Sequence, residues 1–363
     1  MPLIDYTRTK RPVFDIDLDA DPYDRWAEVG RRSKAKLGRF MRDIEAMVHD
    51  YADQYVEAAP EWFPDILKPI AKTTLKPLLS GLSRVTGKLG SWVARSFGEE
   101  YADEIRGLAH ASGLPESKIF LANLTYDLSV ELERYYGACS SFSVTVEGAP
   151  VLVRNMDWAL PESTGRFTVM TRFHKGDASY VNIAPLGCVG VLSAMRTGAW
   201  AVTLNQACPT GPLNVPQWPV MHRIRKACDA SISYPSLLRN LAGMQTMAPF
   251  FTHVVGTKPE QQIVIEGTSE SFLKRKPKPG KPLIQTNHFV HAAHRQHNGE
   301  GYQGEDCDIC DRYAALHKRL CKQPRDFADA LSRIRGGPVT HRYTMNQMAL
   351  RPADGKAVVR VRN

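Results

Sequence analysis

Three features of this 363-residue sequence predict an α+β protein. The first 136 residues read as mostly helical. From Cys139 onward the pattern turns to alternation at every second residue. The alternating stretches come in pairs around short turns, with helical patches between some of the pairs. Helices and hairpins in separate blocks call for antiparallel sheets rather than the parallel sheet of repeated βα units. With 43% hydrophobic and 23% charged residues, the chain is a folded globular protein of one large or two ordinary domains.

The stretch 23–59 has apolar residues near the 3.6 period and few breakers, which predicts a long helix. Leu75, Leu78, Leu79, Leu82, Val85 and Leu89 keep a helical spacing after Pro69 and Pro77. Residues 101–137 read as two helices parted at Ser112–Pro115. Hairpins are predicted around Glu147–Pro150, around Lys175–Asp177 and around Arg196–Gly198. MHRIRKACDA and PSLLRNLAGM are helical patches. FFTHVVGTKPEQQIVIEG is a further hairpin, and TMNQMALRP and AVVRVR pair around a turn at ADG. FLKRKPKPGKP, Phe272 to Pro282, reads as an exposed, proline-rich basic loop.

Charge and cysteine usage narrow the function. The formal charge is +9, and Ile66 to Gly98 carries six Lys or Arg and no acid. Such a basic amphipathic segment can lie on an anionic membrane through Leu75, Leu79 and Trp92. The plainer alternative is a helix pair with its leucines in the core and its lysines in water. No apolar run approaches the roughly 20 residues of a spanning helix, and the start has no apolar signal core. The expected location is therefore cytoplasmic or at a membrane periphery. The basic residues belong to no recognisable nucleic-acid module. The seven cysteines are odd in number and widely spaced, so reduced thiols are expected. His288, His291, His294 and His297, followed by Cys307 and Cys310, could supply zinc ligands. Steps of three residues do not hold four histidines on one α-helical face, and no metal or organic cofactor is expected. The G-x-S-x-G elbow, H-E-x-x-H and phosphate-binding glycine loops are absent.

Cys139 follows two small residues, Gly137 and Ala138, where a strand begins. A buried small hydrophobe is the ordinary use of such a cysteine. Here, however, Arg154 and Asp157 sit on the facing strand of the predicted hairpin. A guanidinium beside a thiol favours the reactive thiolate. A cysteine nucleophile wants a base, and no histidine lies near this hairpin in sequence. If the bond before Cys139 is cut, the new α-amino group, with an ordinary pKa of about 8, can serve.

These residues resemble the acid ceramidase and N-acylethanolamine-hydrolysing acid amidase family of N-terminal-nucleophile cysteine hydrolases, related to cholylglycine hydrolases. FDIDLDADPYDRW is similar to the family's opening, NLTYDLSVELERYYGACSS to its cleavage region and VLVRNMDW to its Arg-Asn-x-Asp pattern. GCVGVLSAMRTGAWAVTLNQ, IQTNHF and CDRYAAL follow in the family's order. The resemblance implies an αββα sandwich cut between Ala138 and Cys139. Residues 1–138 would form a helical α chain that caps the site, residues 139–363 a catalytic β chain, and the two would stay associated. It implies Cys139 as nucleophile, Arg154 and Asp157 steadying the nucleophile and its α-ammonium, and Asn287 and Asn205 as donors to the oxyanion. Arg312 is a further functional residue. The implied substrate is an N-acyl amine lipid. Gln206 stands where acid ceramidases have Glu, and Trp158 replaces another aromatic. The alternatives are an acyl-homoserine lactone, bile-salt or penicillin acylase of the same fold, or a non-catalytic lipid- or zinc-binding protein.

Overall fold

The computed structural model describes residues 3–5, 13–57, 97–132, 139–158, 162–208, 210, 211, 214, 217–268, 270–298 and 308–362. Leu75, Leu79 and Trp92 of the basic segment, Ala138 and Cys307 lie outside the described residues, as does the side chain of Cys310.

Among the described residues the strands form two sheets. The first has the order β1 (Leu3–Asp5), β14 (Lys356–Arg362), β13 (Thr344–Arg351), β4 (Ala149–Asp157), β3 (Ser140–Val146) and β12 (Leu283–Gln285). The second runs β11 (Phe272–Arg275), β10 (Gln262–Gly267), β9 (Phe250–Val255), β8 (Trp200–Gln206), β7 (Ser193–Arg196), β6 (Ala178–Pro185), β5 (Thr168–Lys175) and β2 (Val13–Asp17). Every predicted hairpin is present. The β3–β4 turn passes through Glu147 and Gly148 at φ 53° and 81°, the two left-handed residues that a tight, right-twisted hairpin requires.

Two strand expectations are corrected. The N-terminal portion is not wholly helical, because β1 pairs with β14 and β2 lies parallel to β5. Phe14 and Ile16 of β2 point into the core while Asp15 and Asp17 face water, so this edge strand fits a half-buried surface. Nor is 272–282 wholly a loop, since β11 pairs with β10. Phe272 packs against Phe250, with ring centroids 6.3 Å apart, and Arg275 Nε reaches the buried Glu266 carboxylate at 3.2 Å.

Seven α-helices are described: α1 (Ala27–Glu57), α2 (Glu99–Ser112), α3 (Glu116–Leu132), α4 (Val220–Asp229), α5 (Tyr234–Leu241), α6 (Asp308–Arg319) and α7 (Phe327–Ser332). Strand alternation sorts the layers. In β4, Val151 and Val153 face outward with Phe142 and Val144, against Leu316, Phe327 and Leu331 of α6 and α7. Leu152 faces inward, where Met348, Leu350 and Val359 meet Ile183, Met195, Ala201 and Val255 of the other sheet. Residues of α1 to α5 cover the far side of the second sheet. The result is the αββα sandwich that the resemblance implied. Gly187, at φ 81°, and Gly190 let the 187–190 turn run close to its neighbours. A side chain on Gly190 would meet Met221 Cβ at 2.5 Å. Asn123 of α3 clamps this turn, donating to Gly187 O and accepting from Val189 N.

One carboxyl in this helical layer has a pH signature. Asp127 of α3 is fully buried. Its Oδ1 accepts from Val220 N at 3.1 Å, at the start of α4, while Oδ2 meets no donor among the described residues. Burial raises its pKa to about 7, against the lowering by the Val220 amide. The unfolded chain releases this proton near pH 4 and the folded chain holds it to about 7. The contribution to stability is thus complete below pH ~4 and is lost as the pH rises through 7. Asp127→Asn is expected to flatten that fall and to be the more stable protein at pH 8. Urea unfolding at pH 5 and 8 checks this; equal pH slopes in parent and variant would contradict it.

Candidate active site

Cys139 immediately precedes β3, at the end of the first sheet, and the hairpin register pairs Ser141 with Arg154. Because side chains alternate, Arg154 points inward between the sheets. Its guanidinium donates from Nη1 to Leu192 O at 3.1 Å and to Ser193 Oγ at 2.5 Å, and from Nη2 to Leu204 O. The same Nη2 lies 3.4 Å from Cys139 Sγ. The cation is thereby held by three fixed oxygens and aimed at the sulfur.

Arg312 reaches the same residue from α6. Nη1 donates to Cys139 O at 2.9 Å and to Ser140 Oγ at 3.0 Å, and Nη2 donates to Asn287 Oδ1 at 3.1 Å. Asn287 in turn donates from Nδ2 to Gln206 O at 2.8 Å. Cys139, Arg154 and Asp157 line one cavity of about 20 Å³, together with Tyr126, Trp158 and Gln206. That volume holds about one water. His341 Nε2 stands 3.6 Å from Asp157 Oδ2.

Cys139, Arg154, Asp157, Asn287 and Arg312, all expected from sequence, therefore meet in one cluster, and the side chain of the sixth, Asn205, bonds to groups beside it. Asn205 Nδ2 donates to Ser141 Oγ, Gln285 O and Thr286 O at 3.1–3.2 Å, so both amide hydrogens are committed to protein acceptors. Its Oδ1 meets no donor among the described residues. In this structure the Asn205 amide hydrogens are thus taken up by protein acceptors. The reason is the convergence of β8 with the 285–286 backbone, whose carbonyls must be satisfied between the sheets.

Several neighbours were not foreseen. Ser141 and Ser143, alternating inward on β3, flank His253 of β9. His253 Nδ1 is 3.1 Å from Ser141 Oγ and Nε2 is 2.9 Å from Ser143 Oγ. Burial, with Arg275 adding to it, lowers the His253 pKa to about 3, so the ring stays neutral and relays one donor and one acceptor. Trp158 Nε1 is a buried donor on the cavity wall with no acceptor among the described residues. Tyr126 closes another wall and donates to Pro249 O at 3.0 Å. Inward serines on a strand were the available signal, but alternation alone cannot distinguish an inner polar face from a wet one.

The sulfur's hydrogen-bond partner is Arg154, while His253 and His341 are engaged with the serines and with Asp157. Such a cluster suits nucleophilic attack by sulfur, with a fixed cation beside the charge that develops. The other described cysteines are free thiols in unsuited places. Burial pushes Cys188 and Cys208 up to about 12 and Cys228 well up, and Cys321 is exposed. The histidine segment also differs from expectation. His291, His294 and His297 meet edge to face with centroids 6.3 and 5.6 Å apart, because residues 292–297 form a 3₁₀ turn in which every third side chain eclipses. Among the described residues no three potential ligands converge on a metal position.

Comparison with known proteins adds to this geometry. A family profile described as the beta subunit of N-acylethanolamine-hydrolyzing acid amidase matches residues 9–82. The chain is 23% identical over 278 residues to N-acylethanolamine-hydrolyzing acid amidase of Caenorhabditis elegans, covering 73% of this chain and 70% of that protein. It is 22% identical over 306 residues to acid ceramidase of Mus musculus, covering 76% and 70%. A solved structure of a Caenorhabditis elegans N-acylethanolamine-hydrolyzing acid amidase ortholog aligns at a TM-score of 0.49 and 19% identity, over 59% of this chain and 93% of that one.

Proposed function

We propose that this chain, a relative of acid ceramidase and N-acylethanolamine-hydrolyzing acid amidase, hydrolyses the amide bond of fatty N-acyl amines through a thioester on Cys139. The observation that carries this reading is the Cys139 sulfur, 3.4 Å from a guanidinium locked by three oxygens, in a cavity shared with Asp157.

The thiol first acts on its own chain. Sγ adds to the Ala138 carbonyl carbon, the C–N bond to Cys139 breaks, and a thioester with a free α-amine results. Water opens the thioester to the Ala138 carboxylate and regenerates the thiol. In turnover the α-amine takes the thiol proton as sulfur attacks the substrate carbonyl, and passes it to the departing amine. Water, deprotonated by the same amine, then releases the acid. Arg154 faces the charge at sulfur. Arg312 steadies the Cys139 carbonyl and Asn287, whose second amide hydrogen faces the developing oxyanion. Asp157 holds the α-ammonium, and the Asn205 carbonyl accepts from it or from water. The family profile described as a beta subunit matches residues 9–82, before Cys139, which supports a two-chain form; the cut between Ala138 and Cys139 is inferred from the setting of Cys139.

Intact mass of the purified protein, with hydrolysis assays on fatty N-acylethanolamines, ceramide, conjugated bile salts, penicillin V and acyl-homoserine lactones, tests the proposal. Two masses meeting at Ala138/Cys139 and preference for a fatty amide are expected. An uncut, active protein would remove the α-amine from the mechanism; preference for a non-fatty substrate would move the chain to a different acylase class. Arg154→Lys keeps the charge but cannot span three oxygens and a sulfur. It is expected to lower kcat by about 10²–10³ and to slow cutting, read by stopped assays and by mass against time. Substrate would be drawn from a membrane surface through residues 66–98, at the membrane periphery; no described helix is long and apolar enough to cross a membrane. Leu75→Glu/Leu79→Glu should abolish sedimentation with anionic vesicles, and parental binding would dismiss the contact.

A further inference from the structure

A second cavity, of about 350 Å³, lies between α1, β2, β5 and the 3₁₀ turn Glu162–Phe167. It shares no lining residue with the Cys139 cavity and is large enough for a small organic ligand. Its two halves differ in chemistry. The floor is apolar and mostly buried, made by Phe14, Phe167 and Leu186 with the half-buried Val169. The rim is cationic and exposed. Arg32, Lys36 and Arg39 come from one face of α1 at spacings of four and three residues, and Arg166 faces them from the 3₁₀ turn.

Among the described residues no carboxylate lines this cavity. Arg32 shares an exposed pair with Glu28 at 2.6 Å, whereas Lys36, Arg39 and Arg166 have no acidic partner among the described residues. The Arg32 guanidinium lies over the Phe14 ring at 5.6 Å and that of Arg166 over the Phe167 ring at 4.9 Å. These cation–π contacts hold two charges at the boundary between floor and rim. Four like charges gathered at one mouth repel one another and raise the local concentration of anions.

We infer that this cavity binds a small amphiphilic anion, a carboxylate or phosphate monoester at the rim with its apolar stem on the floor. Arg32, Lys36 and Arg39 belong to the portion before Cys139, and Arg166, Phe167 and Val169 to the portion after it. A ligand here therefore bridges the two. The inference is independent of the amidase reading, because it uses neither Cys139 nor any residue around it.

Titration calorimetry of the full chain with decanoate, octyl phosphate, inorganic phosphate and octyl glucoside, at low ionic strength and below micellar concentrations, tests it. At least one of decanoate and octyl phosphate should bind with one-to-one stoichiometry, and the tighter of the two identifies the head group. Inorganic phosphate, without a stem, and octyl glucoside, without a charge, should each bind at least tenfold more weakly. Lys36→Glu/Arg39→Glu, confined to exposed side chains, should weaken the amphiphile at least tenfold, and added salt should weaken it in the parent. Val169→Trp, which fills the floor and spares every cation, should also weaken the amphiphile at least tenfold. Failure of both amphiphiles to bind would overturn the inference. So would equal binding by parent and charge-reversed protein, or binding of octyl glucoside or inorganic phosphate as tight as that of the amphiphile. Because the comparison is between variants at the rim, acyl binding near Cys139 cannot imitate the expected result.

Discussion

Cys139→Ala is expected to yield a folded, single, uncut chain whose amide hydrolysis falls by about 10⁴–10⁶ in kcat, the scale seen when a catalytic nucleophile is removed. The fall should not come from lost structure. Arg154 keeps Leu192 O, Leu204 O and Ser193 Oγ when the sulfur is gone, and Arg312 keeps the Cys139 backbone carbonyl, Ser140 and Asn287. Only one small atom leaves the cavity wall, so the thermal midpoint should stay close to the parent's. Intact mass, circular-dichroism melting and kcat on a fatty N-acylethanolamine form the test. A variant that is still cut at Ala138/Cys139, or that retains parental kcat, would end the role given to this sulfur. A variant that melts far below the parent would instead reveal a structural thiol.

The second large effect concerns stability. Glu104 of α2 and Arg225 of α4 are both fully buried. Glu104 accepts from both Nη groups of Arg225, from Arg25 Nη1 at 2.8 Å and from Trp26 Nε1 at 2.7 Å. Arg225 also reaches Val189 O at 2.9 Å and Asp229 at 3.3 Å. Glu104→Ala strands that guanidinium in the core with one remaining carboxylate partner, and should cost about 3–5 kcal/mol. The consequence is particular to a cut protein. Glu104 precedes Cys139 and Arg225 follows it, so after cleavage this network would hold two chains together without a covalent bond. Urea unfolding should show the loss, and size exclusion should show the chains of cut Glu104→Ala parting at lower urea than the parent's. Glu104→Met/Arg225→Met, which removes both charges, should recover most of the loss. An unchanged urea midpoint in the single variant would show that the pair contributes nothing.

The hairpins were legible because alternation and turn chemistry are local. Glu147-Gly148, Gly176 and Gly198 mark tight turns within a few residues of the strands they join. The strands β1 and β2 were not legible as sheet members, since their partners, β14 and β5, lie far along the chain. The same distinction divides the site. Cys139, Arg154 and Asp157 belong to one hairpin and could be related by register, whereas Asn205, Asn287 and Arg312 came only from likeness to a family.

By itself the sequence determined the α+β class, the order of hairpins and helices, and a cysteine facing an arginine and an aspartate across one turn. Periodicity and short-range sterics suffice for these. Only the tertiary structure decided which oxygens hold Arg154, that the Asn205 amide hydrogens are committed to protein acceptors, that His253 sits neutral between two serines, and that four cations ring an apolar cavity. Those outcomes depend on groups from distant segments satisfying one another where two sheets and their covering helices meet, and such pairings leave no period in the chain.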